Sequence, residues 1–210
     1  YFQFTEALTA AEFAGEFLKE VLRQYLCFVE RDIAAATETT LERLYRRLMD
    51  ASSKDAASII HTHFEAEKSS DKNAMLRNAL TAPERISGLS GIRVFLLLDD
   101  IDLAGEADIP DAGLISRHLN AALCSGGIRF VASGTAPAAF TGMRSSANME
   151  VMTLEGLDED SSVAMLSELS RQNGVSFDSE VLTLASRRLE GCPVYLKNLV
   201  WAAHRMSLDL

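Results

Sequence analysis

Arg93-Val94-Phe95-Leu96-Leu97-Leu98-Asp99-Asp100-Ile101-Asp102 is the stretch on which the fold turns: an apolar run that stops abruptly in three carboxylates. A continuous apolar run of this length reads as a central β-strand covered on both faces, with the acids emerging at its C-terminal edge. That edge is where open α/β sheets place their ligands. Three acids close together repel one another unless something offsets their charge, and a metal ion arriving with a nucleotide does so directly.

Working outward, Ala112 to Cys124 has helical spacing, with Leu114, Ile115, Leu119 and Leu123 on one side and Gly126-Gly127 as its stop. Ile128 to Ser133 then gives a second buried strand, followed by Gly134-Thr135. Strand, helix and strand at this spacing form a βαβ unit, so the two strands are expected to be parallel. Met149 to Leu154 alternates as a further strand. At the other end, Tyr1 to Thr5 has strand composition, although Tyr-Phe-Gln also matches the scar of a protease-site tag. Thr9 is placed to cap a helix from Ala10 to about Glu30, with Phe13, Phe17, Val21, Tyr25 and Phe28 in one stripe.

Residues 31–90 form a long helical insert. Thr40 caps a helix carrying Leu41, Leu44, Tyr45, Leu48 and Met49, and a second runs from about Lys54 to Lys68. A short helix covers Met75 to Leu80, after which Pro83 starts a turn toward Gly88 and Gly91. His61 and His63 lie about 200° apart on their helix, so they do not share a metal, and His63 reads as a core-edge residue beside Phe64. Beyond Leu157 the pattern is purely helical. Helices start at Asp158, Asp178 and Pro193, and stop at Asn173-Gly174 and Gly191. The expected division is residues 1–155 as an α/β core with the insert, and 156–210 as a small helical subdomain.

Composition sets the bounds. The 210 residues are 48% hydrophobic and carry a net charge of −10, which argues against a broad nucleic-acid footprint. No run reaches the roughly 20 apolar residues of a membrane span, so the expectation is a cytoplasmic protein that does not enter membranes. Cys27, Cys124 and Cys192 are scattered, which suits free thiols in a reducing compartment.

The order of these motifs resembles the AAA+ and STAND classes of P-loop ATPases, in particular the archaeal-type ATPase and Orc/Cdc6-like branches. Val94 to Asp100 is similar to a Walker B strand, and Ser133 and Thr135 stand where sensor 1 lies. Gly191-Cys192-Pro193 looks like the Gly-x-Pro of a helical lid. The resemblance implies an α/β fold, a parallel P-loop-type (AAA+-like) sheet flanked by helices, followed by an all-helical lid subdomain. It implies ATP and Mg²⁺ as cofactors, with Asp99 holding the metal through water and Asp100 in the place of the residue that orients the attacking water. Ser133 and Thr135 would sense the terminal phosphate, with Gly191 and Pro193 in the lid near the nucleotide. Asp is one carbon shorter than Glu, so the implied activity is a nucleotide-dependent switch or a slow ATPase. Oligomeric assembly is left open.

Two departures qualify the resemblance. No Gly-x-x-x-x-Gly-Lys-[Ser/Thr] segment occurs, since Gly88 and Gly91 precede a strand and lack the lysine. The family's phosphate loop would fall upstream of Tyr1, so the chain is expected to be a fragment. Nor does an arginine stand near Val194, where a sensor 2 residue might fall; Lys197 is a weak substitute. Arg129 and Arg144 are conceivable arginine fingers, but Arg129 begins a strand and Arg144 lies in a Gly/Ser-rich loop, so surface solvation is the preferred reading of each, with Arg144 the stronger functional candidate. Two alternatives differ in class: a nucleotide-free relative acting as a protein-interaction scaffold through its helical insert, and a haloacid-dehalogenase-type phosphatase using Asp100 and Asp102. The phosphatase reading needs a nucleophile strand near the start of the domain, whereas these acids follow a long helical region.

Overall fold

The computed structural model describes residues 1–4, 8–102, 111–135 and 150–206. The chain divides into two compact units, Tyr1–Glu150 and Val151–Leu210. The first contains β1 (Phe2–Gln3), α1 (Ala10–Phe28), a 3-10 turn (Ile33–Thr37), α2 (Leu41–Asp50), α3 (Lys54–Lys68) and α4 (Lys72–Ser90). It continues with β2 (Phe95–Asp99), α5 (Ala112–Cys124) and β3 (Arg129–Ala132). The second contains α6 (Glu159–Asn173), α7 (Ser179–Arg188) and α8 (Pro193–Met206).

The three strands form one parallel sheet in the order β1-β2-β3, with Phe2 opposite Leu98 and Leu97 opposite Val131. The parallel βαβ step from β2 through α5 to β3 is as the spacing predicts. The expected P-loop-type sheet flanked by helices is not what the chain forms: the described residues are 67% helical, and their only sheet has these three strands. The molecule is mainly helical. Nor is β2 covered on both faces among the described residues. Leu98 is 2% exposed, whereas Phe95 is 57% and Leu97 47% exposed, and Val131 beside Leu97 is exposed as well. An apolar run satisfies the requirement of a two-sided strand without proving it, because composition alone does not say whether a second layer is present.

One face of the sheet is built into the core. Phe2 and Phe4, two residues apart on the same side of β1, meet Phe13 and Phe17 of α1, with Phe4 stacked on Phe13 at 5.4 Å and Phe2 edge-on to Phe17 at 5.2 Å. Thr9 starts α1 with a complete capping box, its hydroxyl accepting from the Glu12 amide while Glu12 accepts from the Thr9 amide. The predicted stripe holds at Phe13, Phe17 and Tyr25, which are buried, but Phe28 is 73% exposed; Leu18, Leu22 and Leu26 complete the buried side.

The insert packs as helices α2, α3 and α4 against α1. Its fourth helix is the second correction. α4 runs unbroken from Lys72 to Ser90 with Pro83 inside it, where the sequence suggests a stop. A proline in a helix interior costs about 3 kcal/mol, and here Ala82, Pro83 and Ile86 are all buried in the core, which offsets it. Asn78, also buried, donates to the Ile59 carbonyl of α3 at 2.9 Å and accepts from Arg85 at 3.0 Å. His63 sits deeper than a core-edge residue, 3% exposed, and its Nδ1 has no hydrogen-bond partner among the described residues. Cys27, Cys124 and Cys192 are free thiols.

In the second unit, Leu166, Leu196 and Val200 form the centre of a three-helix core. Asp158 caps α6 by accepting from the Ser161 amide at 2.7 Å, and Gly174 ends it in the left-handed conformation. Residues 150–157 precede α6 without strand pairing, so the strand expected over Met149 to Leu154 is not formed among the described residues. Its apolar side chains do not pack in a ladder: Met152 and Leu154 are largely exposed.

Candidate functional site

The C-terminal edge of the sheet gathers Asp99, Asp100, Asp102, Ser133 and Thr135, together with the side chains of Gln3 in β1 and of Tyr1 just before it. Backbone geometry fixes the arrangement. The Phe4 amide donates to the Asp99 carbonyl at 3.0 Å, and the Ser133 amide to the Leu98 carbonyl at 2.9 Å, so both neighbours of β2 reach its end. Asp100 then takes a left-handed conformation, with φ of 56°, an uncommon one for a residue with a Cβ. The turn brings the Ile101 amide back to the Ser133 carbonyl at 2.9 Å.

Each acid has its own partners. Asp99 accepts from the Ser133 hydroxyl on one oxygen and from the Tyr1 hydroxyl, at 2.8 Å, on the other. Asp100 accepts from the side-chain amide of Gln3 at 3.1 Å. Asp102 accepts from the Thr135 amide at 3.1 Å and from the Thr135 hydroxyl at 2.7 Å. The Ser133 bond first, and the Tyr1 bond second, hold the Asp99 carboxyl below the usual carboxylate range, while the same bond to Asp99 pushes the Tyr1 phenol up. Asp99 is therefore an oriented carboxylate, ionised at neutral pH.

Tyr1 and Gln3 are the residues that sequence reasoning missed. They stand two positions apart, Tyr1 just before β1 and Gln3 within it, and a parallel register of β1 on β2 places them on the side where Asp99 points; their parity was the available signal, but it means nothing until that register is known. The candidate sensors Ser133 and Thr135 do reach the acids, and each spends its hydroxyl proton on a carboxylate. Arg144 lies outside the described residues, and Arg129 begins β3, exposed, on the face with Val131.

Gly191 and Pro193 belong to the second unit, where local geometry accounts for both. Gly191 has φ of 65°, and a Cβ there would fall 2.0 Å from the Leu157 carbonyl oxygen; a Cβ on Gly156 would fall 2.0 Å from that of Glu190. This close approach lets the Leu157 amide donate to the Gly191 carbonyl at 2.9 Å. Pro193 is the first residue of α8, where its missing N–H goes unused.

Among the described residues, no group of three or more His, Cys, Asp or Glu side chains could hold a metal ion by itself. The oxygen-only donors at the sheet edge nonetheless suit a hard cation such as Mg²⁺, which keeps most of its waters and takes one or two protein carboxylates with the oxygens of a phosphate. The sequence has no glycine-rich loop ending in lysine of the kind that supplies the phosphate side of such a site. No helix among the described residues is long and apolar enough to cross a membrane. No protein-family model, curated protein or solved structure matches the chain.

Proposed function

We propose that this chain contributes the cation-facing part of an ATP-binding switch, with Asp99 receiving the Mg²⁺ of Mg-ATP through water. The observation that carries the reading is the Asp99 carboxylate at the C-terminal edge of a parallel sheet, ionised and fixed from both sides by neutral hydroxyls. Hydroxyl partners orient the carboxylate without neutralising it, so its charge stays available to a cation. Asp100, on the left-handed turn, is the candidate for positioning a water beside the terminal phosphate, and its short reach favours slow turnover. The phosphate cradle is assigned to polypeptide outside these 210 residues.

A second reading has an observation of its own. With the Ser133 and Thr135 hydroxyls already donated to Asp99 and Asp102, the edge is complete without a ligand, as in a nucleotide-free scaffold that acts by binding protein. Titrating the protein, with whatever flanks its gene encodes, against a fluorescent ATP analogue separates the two. The switch requires Mg-dependent binding that Asp99→Asn weakens by about tenfold or more, equivalent to about 1.4 kcal/mol. Equal binding by the two proteins, or none by either, removes Asp99 from the role and leaves the scaffold.

A further inference from the structure

Beside the short strand β1 lies an apolar groove of about 260 Å³, walled by Phe17, Val21 and Phe28 of α1, Ile86 of α4, and Val94 and Phe95 at the start of β2. Its floor is a strand edge. The bonds from Phe4 to Asp99 and from Ser133 to Leu98 establish which neighbour each residue of β2 addresses: Asp99 faces β1 and Leu98 faces β3. In a parallel ladder this alternates, so Leu97 and Phe95 also present their N–H and C=O groups to the β1 side. Yet the β1–β2 pairing begins at Phe2 opposite Leu98. The Phe95 peptide groups therefore open into the groove, past the point where β1 starts.

We propose that the groove receives an extended segment joined to the amino group of Tyr1, which lengthens β1 along β2. Continuity with the existing ladder specifies the occupant. Stepping the register back from Phe2 and Leu98 sets the first residue before Tyr1 opposite Leu96 and the third opposite Val94. Both Leu96 and Val94 pack against the core. The first and third added residues share the parity of Phe2 and Phe4, whose rings meet α1. They are therefore apolar, filling the space between Phe17, Val21 and the strand edge. The second shares the parity of Tyr1 and points to the other face, where polarity is tolerated. The carbonyl of the first residue accepts from the Leu97 amide, and its amide donates to the Phe95 carbonyl. The proposal stands apart from the nucleotide reading, since it concerns the opposite end of the sheet and its test reads no nucleotide.

Amide hydrogen exchange at Phe95 and Leu97 tests it, compared between the 210-residue chain and the same chain preceded by the residues its gene encodes. The expected result is exchange at least about tenfold slower in the longer chain. Asp at the first added position abolishes that protection, and Asp at the second leaves it. Equal exchange in the two chains overturns the proposal, as do polar residues encoded at both the first and third positions. Protection that appears in the 210-residue chain only as its concentration is raised also overturns it, and identifies a second copy as the occupant.

Discussion

Both faces of the three-stranded sheet carry large apolar side chains, and these have opposite fates. On one, Phe2 and Phe4 meet the aromatic stripe of α1 and Leu98 is buried in the core; on the other, Phe95, Leu97 and Val131 meet solvent. The difference teaches that hydrophobicity supplies the capacity for burial, while the neighbouring element decides whether it is realised. Only the covered face then contributes the roughly 25 cal/mol per Å² of apolar area removed from water.

Substitution can break this comparison. Phe17→Ala, on the covered side, is expected to cost about 3–5 kcal/mol in urea-induced unfolding, because Phe17 is 1% exposed and touches both Phe2 and Phe13. Acid sharpens the same contrast. Burial holds the His63 imidazole below its ordinary value of 6.5, with Glu67 opposing weakly. The neutral form is favoured in the folded state, so stability is full above that value and declines as the pH falls below it. His63→Leu should flatten the dependence between about pH 7 and about pH 5, as read from thermal unfolding. Leu97→Thr and Val131→Thr, on the bare face, are expected to shift the urea midpoint by no more than the equivalent of about 0.5 kcal/mol each. Costs matching that of Phe17→Ala would mean that this face is covered in solution. The smallest effect is a titration: Ser133→Ala removes the larger of the two bonds that depress Asp99, so its midpoint should move up toward the ordinary range by carboxyl-carbon NMR, with the fold unchanged.

Much of the helical architecture was legible because its signals are local. Thr9, Thr40 and Asp158 each cap the helix they precede, and Gly174 ends α6. What escaped depends on distant residues. Pro83 reads as a stop until Ala82 and Ile86 are seen buried around it, and Phe28 continues a stripe that the core no longer needs. The site divides in the same way. Asp99, Asp100, Ser133 and Thr135 stand out at strand ends, but the contacts from Tyr1 and Gln3 span 98 and 97 residues and follow only from register. The resemblance that suggested a sheet flanked by helices rested on motif order, which specifies sequence along the chain and not the number of layers around a strand.

The identity of the groups that hold Asp99 and Asp100 sets how the sheet edge responds to its medium. Their partners are the hydroxyls of Tyr1 and Ser133 and the side-chain amide of Gln3, all neutral groups, so raising the ionic strength removes no attraction there and relieves the mutual repulsion of the acids. The cluster in which Arg47 grips Asp32 and Glu38 at 2.8 and 2.6 Å is a lattice of full charges and weakens as counter-ions accumulate. Concentrated salt would loosen this ion cluster before it disturbed the acidic tip.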